Sequence, residues 1–259
     1  MIIEEILDSV KQELEARAVE DIRIGLGYTA VKLDDGSCGL AATMRDEISA
    51  CCTVLEKAGA LRNERADSLA ELALSPDGLE AALGVATINA ILGRRPLEGE
   101  CEASEIVRDL GIAKGDAVGM IGYFGPLIEP IRRACRELYI FERRLPAFQA
   151  VVGERPAEAP RVYPDWAVEL LLPRCDAVLI SGTTVLNKTI DHLLRLCRGR
   201  VALVGPTTPL SDIFAKYGVS LLFGSRVRDP ARVLRVVSEG GGTATFGSAV
   251  SKVTVRLRR

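Results

Sequence analysis

Three short stretches of the chain combine residue types that could hold an anion. The first is a glycine loop, Gly119-Met-Ile-Gly-Tyr-Phe-Gly125, in which glycine recurs at every third position. Gly122 would let the backbone approach a ligand, and a helix opening at Pro126 would present free N–H groups to a negative charge. The backbone amides of Gly122, Tyr123 and Phe124 are therefore candidate anion donors. The spacing differs from the Gly-x-Gly-x-x-Gly pattern of dinucleotide-binding proteins, so the nicotinamide signal is weak.

The second stretch, Phe141-Glu-Arg-Arg144, ends an apolar run. Glu142 lies about twenty residues beyond the glycine loop, the separation at which a carboxylate commonly binds ribose hydroxyls. Arg143 and Arg144 could instead meet a phosphate. A surface ion pair is the structural alternative for Glu142.

The third stretch is rich in hydroxyl groups, and it comprises Ser181, Thr183, Thr184, Asn187, Lys188 and Thr189. A helix needs only one of these hydroxyls as its cap. Small donors grouped with one ammonium suit a carboxylate or a phosphate. The next predicted strand ends in Gly205-Pro-Thr-Thr-Pro209, which makes Gly205 and Thr207 further candidate ligand-binding residues.

In the first hundred residues, Tyr28 lies on a predicted hairpin and Asn89 lies on a helix rich in small residues. A half-buried strand aromatic and a satisfied buried amide are the structural alternatives. If this part of the chain covers the strand ends, Tyr28 and Asn89 close over the ligand. Lys188 and Tyr28 would then be the available acid–base groups, and whether the protein is an enzyme is left open.

The cysteine and histidine content argues against a soft metal site built by the protein. None of the seven cysteines forms a Cys-x-x-Cys pair, Cys51 and Cys52 are adjacent, and His192 is the single histidine. Buried thiols in a reducing compartment are the simpler interpretation. His192 is predicted to be a surface or satisfied residue. A metal cofactor would use oxygen donors or arrive already chelated.

Composition narrows the class of protein. The chain has 259 residues, of which 48% are hydrophobic and 26% are charged, as in ordinary globular proteins. Its apolar runs are too short to span a membrane, and its start lacks the features of a signal peptide, so a cytoplasmic location is expected. Without a dense basic run, nucleic acid is not an expected partner. A homodimer is the commonest symmetric assembly.

Charge is distributed unevenly along the chain. Residues 1–100 contain 10 Lys and Arg against 19 Asp and Glu, which leaves -9, whereas residues 101–259 contain 23 against 16, which leaves +7. Two independently solvated surfaces would explain this difference. Alternatively, the basic part attracts an anionic ligand or docks against the acidic part.

The elements that position these residues divide into two patterns. Residues 1–100 show an amphipathic helix at 2–19, two extended runs joined by an Asp-Gly turn, and a small-residue helix at 77–92, which predicts a small α+β domain. After a linker over 93–105, strands and helices alternate. Residues 101–259 are therefore predicted to form a Rossmann-like, mainly parallel, doubly wound sheet. Its strand ends would converge on a cleft that faces the first domain.

Six stretches, in order along nearly the whole chain, match one known family. They are Gly27-Tyr-Thr-Ala-Val-Lys32, Glu80-Ala-Ala-Leu-Gly-Val-Ala-Thr-Ile-Asn-Ala90, Val118-Gly-Met-Ile-Gly-Tyr-Phe124, Glu142-Arg143, Ser181-Gly-Thr-Thr-Val-Leu-Asn-Lys-Thr189 and Val204-Gly-Pro-Thr-Thr-Pro-Leu210. In these stretches the sequence resembles the family described as "putative heavy-metal chelation". That resemblance implies a capping domain similar to the N-terminal domain of enolase, then a Rossmann-like domain, with a site between them. It also implies a role in handling a metal or metal compound, linked to anaerobic cobalamin synthesis.

Three functions stay open on these observations. The first is binding of an anionic small molecule or a metal complex in the cleft between the domains. The second is a non-catalytic metal-binding or delivery protein. The third is an enzyme that uses a nucleotide or dinucleotide bound by the Rossmann-like domain.

Overall fold

The computed structural model describes residues 1–48, 54–102, 105–143 and 160–258. The first part of the chain packs helices on a three-stranded antiparallel sheet in the order β1-β2-β3. Cys51, Cys52 and Arg144 lie outside the described residues. The elements of this part are α1 (Ile2–Glu15), β1 (Val19–Ile24), β2 (Tyr28–Leu33), β3 (Cys38–Ala42), α2 (Ala66–Glu71) and α3 (Gly78–Leu92).

The rest of the chain forms an eight-stranded sheet with helices between its strands. The strands are β4 (Glu100–Glu102), β5 (Ala117–Ile121), β6 (Glu137–Glu142), β7 (Val162–Pro164), β8 (Ala177–Ser181), β9 (Arg200–Val204), β10 (Val219–Val227) and β11 (Val250–Arg256). The helices are α4 (Ile106–Asp109), α5 (Gly125–Ala134), α6 (Val168–Leu171), α7 (Thr183–Leu186), α8 (Ile190–Leu196) and α9 (Pro230–Ser238). Within the described residues, no helix is long and apolar enough to cross a membrane.

The order of the strands locates the edge at which a ligand would bind. Six parallel strands lie side by side as β7-β6-β5-β8-β9-β10, and β11 and β4 extend the sheet in antiparallel fashion. When the six parallel strands are numbered along the chain, their order across the sheet is 3-2-1-4-5-6, as in doubly wound nucleotide-binding sheets, so the order reverses between β5 and β8. The predicted α/β fold with a mainly parallel sheet is confirmed. The likeness of the first part to the enolase N-terminal domain stays a prediction.

Both faces of the large sheet are buried, which explains the continuous apolar runs of its strands. In β8, Val178 and Ile180 point into one core, which also contains α1 and α3 of the first part of the chain. Leu179, between them, points into a second core with α4 and α5. The N-terminal helices therefore share one continuous core with the sheet.

Helix α3 lies against neighbouring backbone on two sides. A Cβ atom added to Gly39 of β3 would lie 2.0 Å from the Ala86 carbonyl oxygen of α3. A Cβ atom on Gly84 of α3 would lie 1.9 Å from the Ala73 amide nitrogen. The small residues of α3 and β3 therefore let neighbouring backbone approach closely at both positions.

A buried arginine links the end of α3 to the large sheet. Arg226 of β10 is 5% exposed, and its guanidinium forms an ion pair with Glu100 of β4. The same group donates hydrogen bonds to the carbonyl oxygens of Leu92 (3.3 Å), Gly93 and Arg95 (2.6 Å). Because helices end with unpaired carbonyls, this arrangement serves as the C-terminal cap of α3.

Candidate functional site

A cleft with a volume of about 690 Å³ lies at the carboxyl ends of β5, β6 and β8. This edge is beside the reversal of strand order, where ligands of open α/β sheets commonly bind. Residues 42–47, which begin at the last residue of β3, line the cleft as well. The first part of the chain thus contributes directly to the wall of the cleft.

The cleft brings together seven of the residues predicted to bind a ligand. They come together because β5 is hydrogen-bonded to both β6 and β8 in parallel, so the three strands end at the same edge. The seven are Gly122, Tyr123, Phe124, Glu142, Thr183, Thr184 and Asn187.

The Gly122 backbone lies close to the Ser181 side chain, whereas its predicted close approach to a ligand stays a prediction. Gly122 has a φ of +97°, and a Cβ atom there would lie 3.2 Å from the Ser181 Cβ atom. Its N–H donates to the Phe141 carbonyl oxygen at 2.9 Å. The Gly122 amide therefore extends the pairing of β5 with β6. Because its hydrogen is already bonded, this amide does not serve as the predicted anion donor. Phe124 is the N-cap of α5 and gives that helix no side-chain cap.

The hydroxyl-rich loop is bonded within itself. Thr183 Oγ1 donates to Ser181 Oγ at 2.8 Å, and Thr184 Oγ1 donates to the Ser181 carbonyl oxygen at 2.7 Å. Asn187 Oδ1 accepts from the amide (3.2 Å) and the hydroxyl (2.6 Å) of Thr189. These bonds fix the shape of the loop. Hydrogen bonds within the loop therefore account for more of its hydroxyl groups than the one helix cap that the sequence predicts.

Lys188 does not line the cleft, contrary to the acid–base role predicted for it. Its backbone has a φ of +62°, and its ammonium group donates to the Ser75 carbonyl oxygen in the first part of the chain. Burial lowers the pKa of this amine. The contact with Ser75 indicates a structural role, in which Lys188 links the loop after β8 to the first part of the chain.

Tyr28, Asn89, Gly205 and Thr207 also lie outside the lining of the cleft. The Tyr28 ring packs edge-on against Phe246 with 5.6 Å between centroids, and burial raises the pKa of its phenol. Neither observation supports an acid–base role for Tyr28.

Asn89 and Thr207 instead join separate parts of the fold. Asn89 Nδ2 donates to the carbonyl oxygens of Leu40 (2.8 Å) and Thr207 (3.1 Å), and Thr207 Oγ1 accepts from the Ala42 amide (2.9 Å). The Gly205 N–H donates to the Phe223 carbonyl oxygen at 2.9 Å, and the Gly205 backbone has a φ of +114°. These contacts indicate that Asn89, Gly205 and Thr207 stabilise the fold and do not line the cleft.

Ion pairs across the cleft were missed by sequence reasoning. Arg143 Nη1 lies 2.5 Å from Glu47 Oε1, and Arg143 Nε lies 3.8 Å from Asp165 Oδ2. Glu142 Oε1 accepts from the Arg143 amide at 3.0 Å. Arg143 thus connects residues 42–47 to the segment after β7. Its sequence neighbours gave no signal for partners this distant along the chain.

The single histidine lines the cleft too. His192 Nε2 and Glu169 Oε1 are 2.6 Å apart, and both side chains are exposed. The surface position predicted for His192 agrees with this exposure. The sequence did not show that α6 and α8 bring His192 and Glu169 together at the cleft wall.

The described lining of the cleft is acidic, with carboxylates of Asp46, Glu47, Glu142, Asp165 and Glu169 against the guanidiniums of Arg45 and Arg143. Burial raises the pKa of the Cys38, Cys175 and Cys197 thiols to about 12, so these thiols stay protonated. Across the described residues, no group of three or more His, Cys, Asp or Glu side chains is arranged to hold a metal ion.

A pair of substitutions at Lys188 separates its ammonium contact from its backbone conformation. Lys188→Met is expected to lower the free energy of unfolding by about 1–2 kcal/mol, because a partly buried carbonyl loses its charged partner. Lys188→Gly loses the same contact but relieves the left-handed strain, so it should be about 1 kcal/mol more stable than Lys188→Met. Urea denaturation measures both. Unchanged midpoints in both variants would contradict the structural role.

The fold and the cleft define an α/β protein with a candidate small-molecule site where the order of its sheet reverses. Models of the family described as "putative heavy-metal chelation" match residues 7–92 and 106–256. The chain belongs to this family, as its sequence resemblance predicts.

Similar proteins match over nearly the whole chain. An uncharacterized protein of Methanocaldococcus jannaschii is 27% identical over 276 residues, covering 99% of this chain and 98% of the relative. A crystal structure of a family protein of unknown function from Desulfitobacterium hafniense is 28% identical, with a TM-score of 0.76 and 98% of each chain covered. One from Pyrococcus horikoshii is 22% identical, with a TM-score of 0.80, covering 99% of this chain and 100% of the other.

Proposed function

We propose that the protein binds an anionic small molecule or a metal complex in the cleft, and that the metal complex is the better fit. The observation that carries this proposal is the convergence of β5, β6, β8 and residues 42–47 on one cleft of about 690 Å³. A volume of this size suits a small molecule. The position beside the reversal of strand order is where such ligands bind in sheets of this kind.

The charge of the cleft favours the complex over the bare anion. A free polyanion would meet five carboxylates and only two guanidiniums, of which Arg143 is already paired with Glu47. A bound metal ion lowers or reverses the negative charge of such a molecule. Glu142 and Glu169 could then contribute oxygen donors or hydrogen-bond acceptors without repulsion.

The family description supports a ligand that contains metal. The link to anaerobic cobalamin synthesis, which the resemblance implies, stays a prediction. If the ligand is transformed, the His192–Glu169 pair is the candidate acid–base group on the wall, in place of Lys188 and Tyr28. A cytoplasmic location and a homodimer also stay predictions, and light scattering of the purified protein would test the second.

Native mass spectrometry with elemental analysis tests the proposal on protein purified without chelator. We expect a retained small-molecule mass with metal, and about a tenfold lower occupancy in Glu142→Gln and Glu169→Gln, because each variant loses a charged acceptor. Glu137→Gln is the matched control, since Glu137 is exposed near the other end of β6 and does not line the cleft. Less than about a tenth of a metal per chain, with no retained organic mass, would contradict the proposal.

A second function is favoured by one specific observation. The strand order is that of nucleotide-binding sheets, and Glu142 ends β6, the second parallel strand, where a carboxylate commonly binds ribose. The protein would then be a nucleotide- or dinucleotide-dependent enzyme. Titration with NADH, followed by nicotinamide fluorescence, distinguishes the two functions. Saturable binding lost in Glu142→Gln supports the nucleotide function, and no binding at millimolar NADH contradicts it.

A further inference from the structure

We propose that Trp166 is a stacking platform for the ligand, and that the ligand presents to it a planar ring system with positive charge. The charge could belong to the ring itself or to a metal that the ring system chelates. This inference rests on the proposed function in one respect, that the ligand occupies the same cleft.

Aromatic side chains are concentrated in the cleft. The chain has 12 aromatic residues, five Tyr, six Phe and one Trp. Four of them line the cleft, and these are Tyr123, Phe124, Phe141 and Trp166. Trp166, the single tryptophan, is 67% exposed, although tryptophan is a highly buried residue on average. A large exposed ring at the edge of a cleft gains its apolar contact only when something covers it.

The backbone beneath Trp166 is well anchored. Trp166 lies in the 3-10 turn Asp165–Ala167, and the next two residues, Ala167 and Val168, are buried in the first core. The Trp166 amide donates to Asp165 Oδ1 at 2.9 Å, and Asp165 is paired with Arg143. The indole is therefore exposed on a fixed backbone, an arrangement that lowers the entropic cost of binding a flat ligand.

Several carboxylates line the same cleft as Trp166. Asp165 precedes Trp166 directly, and Glu169 follows three residues later on the same wall of the cleft. Glu47 and Glu142 line the cleft as well. Aromatic faces attract cations through the negative potential above the ring, and nearby carboxylates add to that attraction. The same surface disfavours a negatively charged ring, so the cleft selects by charge as well as by shape.

Saturation-transfer NMR with three small probes tests the inference. The probes are 1-methylnicotinamide, nicotinamide and nicotinate, which share one ring and carry charges of about +1, 0 and −1 at neutral pH. We expect the cation to bind at least about fivefold more tightly than the neutral ring, and the anion to bind most weakly. Trp166→Ala should weaken cation binding by about tenfold, and Trp166→Phe should retain most of it.

Leu170→Ala is the matched control. Leu170 is 63% exposed in α6, four residues beyond Trp166, and it does not line the cleft. Its removal should leave binding of all three probes unchanged. Equal affinity for the three probes would overturn the selection by charge, and unchanged binding in Trp166→Ala would overturn the platform.

The two proposals fail in different ways. If the purified protein retains no metal complex but binds the cationic probe through Trp166, the proposed function fails and the platform stands. If a metal complex is retained equally by the wild type and Trp166→Ala, the proposed function stands and the platform fails.

Discussion

Replacing Arg226 with alanine is expected to lower the free energy of unfolding by about 3–5 kcal/mol, because the substitution leaves a carboxylate without its buried partner. The Arg226 Nε atom donates to Glu100 Oε1 at 2.6 Å, and the same guanidinium forms a second bond to Glu100 Oε2. The carbonyl oxygens of Leu92, Gly93 and Arg95 each lose a donor in the same substitution, and that of Leu92 keeps its hydrogen bond from the Arg95 amide. Few single side chains in the described part of the fold serve so many partners.

Urea denaturation at neutral pH measures the Arg226→Ala effect. Arg228→Ala is the matched control, because Arg228 is an exposed arginine two residues away that donates to Ser251 Oγ at 2.9 Å. Its substitution should change the free energy of unfolding by less than about 0.5 kcal/mol. Similar midpoints for Arg226→Ala and Arg228→Ala would contradict the capping role of Arg226.

Acid should weaken the contribution of this pair. The Arg226 guanidinium holds the pKa of the Glu100 carboxyl below its ordinary value. The ion pair therefore contributes fully above the unfolded pKa of about 4.3, and its contribution is lost as the pH falls through the lower folded pKa. The stability difference between wild type and Arg226→Ala should narrow across that range.

Gly39→Ala is expected to destabilise the protein by about 3 kcal/mol or more. The added methyl group would lie 2.0 Å from the Ala86 carbonyl oxygen, 2.3 Å from the Ala90 amide nitrogen and 2.7 Å from the Asn89 carbonyl carbon. All three atoms belong to the backbone of α3, so no side chain can rotate away. Either β3 or α3 must move, and overpacking of this kind exceeds the ordinary cost of an added methyl group.

Thermal denaturation compares Gly39→Ala with Gly115→Ala. A Cβ atom on Gly115 would have no heavy atom within 4 Å, and Gly115 does not have a left-handed backbone. The control should therefore be neutral or slightly stabilised, since alanine restricts the unfolded chain. At about 2–4 °C per kcal/mol, Gly39→Ala should melt at least about 6 °C lower. A melting temperature within 2 °C of wild type would contradict the close packing.

The fold was predictable where burial on both faces leaves a continuous apolar run. Ala177-Val-Leu-Ile180 and Val201-Ala-Leu-Val204 are such runs, and they form β8 and β9. The predicted elements do not include β11, and the first of the two predicted extended runs, the one before the Asp-Gly turn, forms two strands, β1 and β2. A turn of three residues separates those two strands, and one residue in it, Leu26, is apolar and exposed.

The candidate site was predictable in part because loops that follow neighbouring parallel strands meet at one edge. This rule brings Gly122, Glu142 and Thr183 together without knowledge of their partners. The residue type alone does not predict the role of Lys188, because its ammonium group donates to the carbonyl oxygen of Ser75, which lies 113 residues earlier in the chain. The residue types also do not predict that Lys188 has a left-handed backbone between α7 and α8.

The core shared by α1, α3 and the large sheet affects how a ligand could enter. Because these helices and β8 bury their side chains in one cluster, swinging the first part of the chain outward would expose that cluster to water. Entry is therefore expected through local rearrangement at the mouth, where the exposed Glu47–Arg143–Asp165 bridge can open at little cost. The cleft is therefore expected to be preformed, with ion pairs that separate when the ligand enters. In this it differs from proteins that close on a ligand by rotating two lobes together.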